Sequence, residues 1–184
     1  MSKKWKERII RLPDDHAWTS RPGCKVFVLE RGKVRFDFPE DWVTKPVSDS
    51  IEFYDRQPPD DDCRLAVSCI NLPPIDWSGL PLSRLLEEGE KADTRPISTR
   101  GEIQQERRAD LEIAWREVRF PNPSDGREAC SLICMARRRR IQALITFDFW
   151  LADRERSLRI WTTVLKSLQV DVRYDHPTSG RVIQ

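Results

Sequence analysis

Four consecutive arginines, Arg137, Arg138, Arg139 and Arg140, form the densest run of reactive charge in the chain. Guanidinium groups carry a fixed charge and a planar fork of donors, so four at a hairpin tip could clamp phosphates or an acidic partner. The competing reading is a solvated turn whose charge keeps sheet edges from associating. Lysine and arginine number 32 against 30 acidic residues, a formal net charge of only +2, and no aromatic residue interleaves the run. That balance favours the solvated turn. Nucleic-acid or acidic-partner binding through Arg137–Arg140 stands as the alternative, and Arg107 and Arg108 extend the patch only if the fold brings them near.

Trp77 and Ile75 lie in a segment punctuated by Pro73, Pro74, Gly79 and Pro81. An aromatic side chain on such a loop suits a binding hot spot, because it buries much area at little entropic cost. It equally suits a lid over an open sheet face, and both readings stay open. Asp60, Asp61 and Asp62, with Asp55 nearby, offer hard oxygens to a divalent cation. The glycine and the later bidentate glutamate of a calcium loop are missing, so a solvated acidic loop is expected and no metal or other cofactor is assigned.

Catalytic constellations are scarce. The chain has two histidines, His16 near its start and His176 near its end, and either would have to be drawn into a pocket to serve a serine or cysteine. Glu87, Glu88 and Glu90 read as helix surface charge, and the seven glycines form no phosphate cradle. Five cysteines cannot all pair within one chain. Cys130 and Cys134, four residues apart on a segment of strand character, would sit about 13 Å apart, too far for two ligands of one zinc. Reduced, buried thiols are expected.

The elements that must position these residues follow from periodicity. At 184 residues, 34% charged and 39% apolar, the chain has the make-up of one soluble globular domain. The longest apolar region, Ile141 to Ala152, is broken by Gln142, Thr146 and Asp148, so no membrane insertion is expected. Met1 to Arg11 is basic without the apolar stretch of a secretion signal, and a cytoplasmic location is expected. Val34, Phe36 and Phe38 alternate with Arg35 and Asp37 as a half-buried strand does, and Pro39 ends it before Trp42 returns as an apolar anchor. Glu30 to Lys33 is the hairpin turn joining this strand to Val26–Leu29.

Ile51–Tyr54 and Leu65–Ile70 read as strands, the latter covered on both faces. Pro81 is expected at the first position of a helix carrying Leu82, Leu85 and Leu86. Leu111, Ile113 and Trp115 share one parity, Val118 and Phe120 the other, which a β-bulge near Arg116 would reconcile. Glu128–Ala136 and Ile141–Trp150 pair across the arginine turn. Asp153 is expected to cap a last helix striped by Leu158, Trp161, Leu165 and Leu168, with Lys166 in its final turn. The order of strands, helix, strands and long helix implies an antiparallel sheet with helices on it rather than a parallel nucleotide-binding sheet.

Phe36-Asp37-Phe38-Pro39-Glu40-Asp41-Trp42 followed by Ile51-Glu52-Phe53-Tyr54-Asp55, with a closing helix through Trp161–Val164 and Leu165–Leu168, resembles the PsbP-like family. This is the fold shared by the photosystem II extrinsic P subunit and the Ran guanine-nucleotide release factor. The resemblance runs from about Cys24 to Val172, and it implies an α+β fold, an antiparallel sheet of about six or more strands with helices on both faces (an α/β/α sandwich). Residues 1–23 would be an N-terminal extension, 24–172 the domain and 173–184 a tail. The family also implies a binding scaffold, adaptor or chaperone-like module with a protein partner rather than an enzyme. Trp77 and Ile75 are the candidate contacts, with Arg137–Arg140 as the alternative.

Overall fold

A computed structural model describes residues 11–183. Ten residues of the expected extension therefore lie outside the described part, as does Gln184. Strands β1 (Cys24–Leu29) and β2 (Val34–Pro39) form the expected hairpin, in register from Cys24 opposite Pro39 to Leu29 opposite Val34. The turn carries Glu30, Arg31 and Gly32 at positive φ. Gly32, at φ 110°, is obligatory there, because a Cβ would stand 1.8 Å from the carbonyl oxygen of Val172. Trp42 follows as the sequence indicates: its N–H closes a turn on Pro39, and its buried ring meets Phe147 at 5.8 Å.

Further along come β3 (Val43–Pro46), β4 (Ile51–Tyr54), β5 (Cys63–Asn71), α1 (Leu82–Lys91), β6 (Thr99–Arg100), β7 (Gln104–Arg108), β8 (Leu111–Pro121), β9 (Glu128–Arg138) and β10 (Ile141–Trp150). A 3-10 turn (Leu151–Asp153), α2 (Arg154–Ser167), β11 (Gln169–Val170), β12 (Arg173–Tyr174) and β13 (Val182–Ile183) complete the described chain. Among the described residues the strands form an eight-stranded sheet ordered β3-β4-β5-β10-β9-β8-β6 with β7 also on β8, a three-stranded sheet ordered β1-β2-β11, and the β12-β13 hairpin. All these pairings are antiparallel.

Alternation along each strand sorts the large sheet into two faces. Leu65, Val67, Ile113, Leu132, Cys134, Ile145 and Phe147 point into the main core. There they meet Trp161, Val164 and Leu165 of α2 and the inward residues of the small sheet. Phe53 packs on Phe27, Phe36 and Phe38 at ring separations of 4.9, 5.6 and 4.7 Å. On the opposite parity, Ala114, Ile133 and Met135 take Leu82, Leu85 and Leu86 of α1 as a second, smaller core.

The structure corrects several expectations. No bulge interrupts β8: it runs in one register with β9 from Leu111 opposite Arg138 to Pro121 opposite Glu128. Its two parities are both apolar because α2's core lies on one side and α1's on the other. Pro81 is the N-cap, with extended ψ of 142°, and helix geometry starts at Leu82. Asp153 stands at the N-cap of α2, but its side chain caps nothing, since the preceding 3-10 turn already leads the chain in. Arg137 and Arg138 belong to β9, leaving Arg139 and Arg140 as the turn. Residues 173–183 include a hairpin rather than a bare tail.

Helical cover is also narrower than in the expected sandwich. α2 shares its face with the three-stranded sheet, whereas α1 packs mainly on β8 and β9, with Ile103 and Arg100 beside it. β5 is therefore not covered on both faces, and Ile70 is 56% exposed.

Candidate functional site

The uncovered part of the large sheet is the α1 side of β5 and β10. Ile70 pairs with Gln142 and Ser68 with Leu144, so Ile70 and Leu144 are diagonal neighbours on one face, within reach of each other. Leu144 is 39% exposed. Between them and the far end of the sheet lie only small or short side chains, Ala66, Ser68 and Thr146. That far end is polar: Arg64 bridges Asp148 at 2.9 Å and Glu52 at 3.5 Å, and Arg95 reaches Asp148 at 3.5 Å. An aliphatic patch thus grades into a charged rim.

The proline-rich segment borders this patch. Its backbone is tied down at both ends: Leu72 N–H donates to Arg140 O at 2.7 Å, and Arg137 donates to Leu80 O at 3.0 Å. Arg137 sits on the same face as Gln142, so the segment crosses onto that side of the sheet on its way to α1. Ile75 is 61% exposed. Trp77 is half-buried, and its indole N–H donates to Pro73 O at 3.0 Å, which holds the ring against its own loop. Trp77 is therefore the brace of this loop and Ile75 its apolar tip.

The four arginines are not gathered into one clamp. Arg137 is buried and paired with Glu112 at 2.7 Å. Arg138 holds Asp110 at 2.7 Å and donates to Val170 O at 3.2 Å. Arg139 is exposed, between Asp110 at 3.6 Å and Asp171 at 3.5 Å, and Arg140 donates to Leu72 O at 3.1 Å. Arg107 reaches Glu112 at 3.7 Å, whereas Arg108 turns to Glu106 and to Leu165 O at the end of α2.

The remaining candidates are absorbed by structure. Asp55 accepts the N–H groups of Asp62 and Cys63 at 2.9 and 3.2 Å, and Arg56 pairs with Asp62, so two of the carboxylates organise their own loop. No group of three or more metal-ligating side chains occurs among the described residues. Burial pushes the Cys63 thiol up to about 12 and the Cys130 thiol to about 11, and it raises Cys134 as well. Protonated at neutral pH, these are poor nucleophiles. Both histidines do line one groove, where the start of the described chain packs on the β12-β13 hairpin.

Sequence reasoning missed Ile70 and Leu144. The signal existed: Leu144 is a large apolar residue flanked by Gln142, Thr146 and Asp148 on the solvent parity of β10. What hid it was the assumption that both faces are covered.

The family model described as Alr1449 matches residues 25–173. The protein alr1449 of Nostoc sp. is 37% identical over 178 residues, spanning 96% of this chain and 93% of its own length. Cyanobacterial PsbP (CyanoP) from Synechocystis sp. is similar in structure, with a TM-score of 0.56 at 12% identity, covering 82% of this chain and 94% of that one. A Bacteroides thetaiotaomicron protein gives 0.56 at 14% identity over 83% of this chain, which spans 50% of that protein's length. A variant of the protein Mog1 gives 0.50 at 8% identity, covering 80% of this chain and 95% of that one. At such identities the structural likeness speaks to fold alone. The chain belongs to the Alr1449 family, and its fold is PsbP-like.

Proposed function

We propose that this chain is a non-enzymatic protein-binding scaffold, an adaptor or chaperone-like module, whose partner docks on the open sheet face beside α1. The observation that carries this reading is the exposure of two large aliphatic residues, Ile70 and Leu144, on one face of the sheet, with exposed Ile75 on the loop that borders it. Burying such a side chain fully contributes about 1.5–3 kcal/mol, and three together suffice for an interface centre. The rim of Arg64, Asp148 and Glu52 would fix orientation more than affinity. A partner seated there would complete the second layer that α1 begins, making the assembly a full sandwich.

The PsbP-like fold agrees with a binding role by analogy. The raised thiols of Cys63 and Cys130 support a non-enzymatic reading, and with no disulfide at Cys63, Cys130 or Cys134 a reducing compartment such as the cytoplasm suits the protein. No helix among the described residues is long and apolar enough to cross a membrane. For the alternative, a nucleic acid would have to compete with Asp110 and Asp171 for Arg138 and Arg139. Its binding would weaken steeply with salt, whereas aliphatic docking would not.

A photo-crosslinking side chain placed at Leu144, with one at exposed Arg159 on α2 as control, tests the assignment. A partner captured from Leu144 and not from Arg159 is the expected result. Capture from Arg159 alone would move the interface to the other side of the molecule.

A further inference from the structure

On the side of the molecule away from the open face, a groove of about 840 Å³ runs along the outer surface of β1. Its size lies within the range of small-ligand sites. Its walls are made by parts distant in sequence. Trp18 packs on Tyr174 with the rings tilted and their centroids 4.6 Å apart, donates its indole N–H to Pro177 O at 3.0 Å, and is preceded by Ala17, whose N–H donates to Ser179 O at 2.6 Å. Gly180, at φ 64°, lets the two segments close, since a Cβ there would stand 2.7 Å from Trp18. Val26 and Val28 form the floor. The wall is thus preorganised and largely apolar.

The polar groups around it share one character. His16 Nδ1 accepts the N–H of Trp18 at 3.1 Å, and His176 Nδ1 accepts that of Thr178 at 3.3 Å and meets the Thr178 hydroxyl at 2.8 Å, which donates to it in that tautomer. A neutral imidazole that accepts at Nδ1 carries its proton on Nε2, so both rings have a donor left to offer and no free acceptor. Among the described residues, Arg31 and Lys25, exposed at the groove, make no ion pair, and Asp175 is the one carboxylate lining it. Donors and cations over an apolar floor complement an amphipathic anion.

From this groove we infer that the protein has a binding site for a small organic carboxylate with an apolar body. The body lies on Val26, Val28 and the Trp18–Tyr174 pair. The carboxylate takes the Nε2–H groups of the two histidines and the charge of Arg31. The site is separate from the protein-docking face and stands or falls independently of it.

Calorimetric titration of the full-length chain with 2-naphthoate, and with 2-naphthylmethylammonium as a size-matched cation, tests the inference. One saturable site, at least about tenfold tighter for the carboxylate, is expected. Arg31→Glu should lower naphthoate affinity about tenfold and His176→Ala about threefold, with thermal melts unchanged. If His176→Ala shifts the melt, Lys25→Glu replaces it as the second variant. Equal affinity for the two probes, naphthoate affinity unaltered in the variants, or no saturable binding would overturn the inference.

Discussion

At the scale of single residues, Arg137 and Arg139 show how differently two neighbours in one charge run are used. Arg137 is buried between Glu112 and the Leu80 carbonyl, so Arg137→Ala leaves the carbonyl unmet and Glu112 with only the more distant Arg107. Glu112 keeps some solvent contact, so we expect a loss of about 2–3 kcal/mol in urea unfolding, at the low end for a broken buried pair. Arg139→Ala, at an exposed turn residue, should stay within about 0.5 kcal/mol. Equal losses would show that the run acts as a unit.

The tyrosines offer a second residue-scale test. Burial, then the hydrogen bond to Glu52, pushes Tyr54 up to about 12, and burial also raises Tyr174. An unfolded tyrosine loses its proton near 10 while folded Tyr54 keeps its own, so the folded state holds more protons. Stability contributed by Tyr54 is therefore intact below about pH 10 and falls between about 10 and 12. Absorbance at 295 nm should show less than a two-tyrosine phenolate step near pH 10 in the native protein, because Tyr54 is held back; a full two-tyrosine step there would contradict this. Neither result was legible in the sequence. The arginine run gave its charge but not its partners, because Glu112 and Leu80 reach Arg137 only through the folded sheet.

Among elements, the β1-β2 hairpin and α2 were the most legible, because strict alternation and helical spacing each admit one solution. The tie between the hairpin and β11 was not. Val172 N–H donates to Gly32 O at 2.9 Å and Asp171 N–H to Lys33 O at 3.0 Å, a clasp between segments far apart in sequence. Gly32→Ala should break it, through both the positive φ and the collision with Val172 O, and cost about 2–4 kcal/mol in thermal unfolding. A neutral substitution would mean that the turn is free of β11. Trp161→Ala, which removes the ring stacked 6.3 Å from Phe147, should cost about 3–5 kcal/mol. The β8 expectation failed for an instructive reason. A parity change was taken as a bulge, when a strand buried on both faces shows apolar residues on both parities without one.

For the whole molecule, the sequence indicated the α+β class and antiparallel order, and the PsbP-like fold bears this out. It gave little warning of the incomplete second layer, since cover is a property of how far α1 extends across eight strands. That gap is where the proposed function resides. The most direct test is affinity capture from the native lysate by the wild-type chain and by a variant carrying Ile70→Asp and Leu144→Asp, with matched thermal melts and salt held constant. The account predicts a partner recovered by the wild type, lost from the double variant and retained by Arg138→Ala with Arg139→Ala. Recovery of the same partner by the Ile70→Asp, Leu144→Asp chain would contradict it.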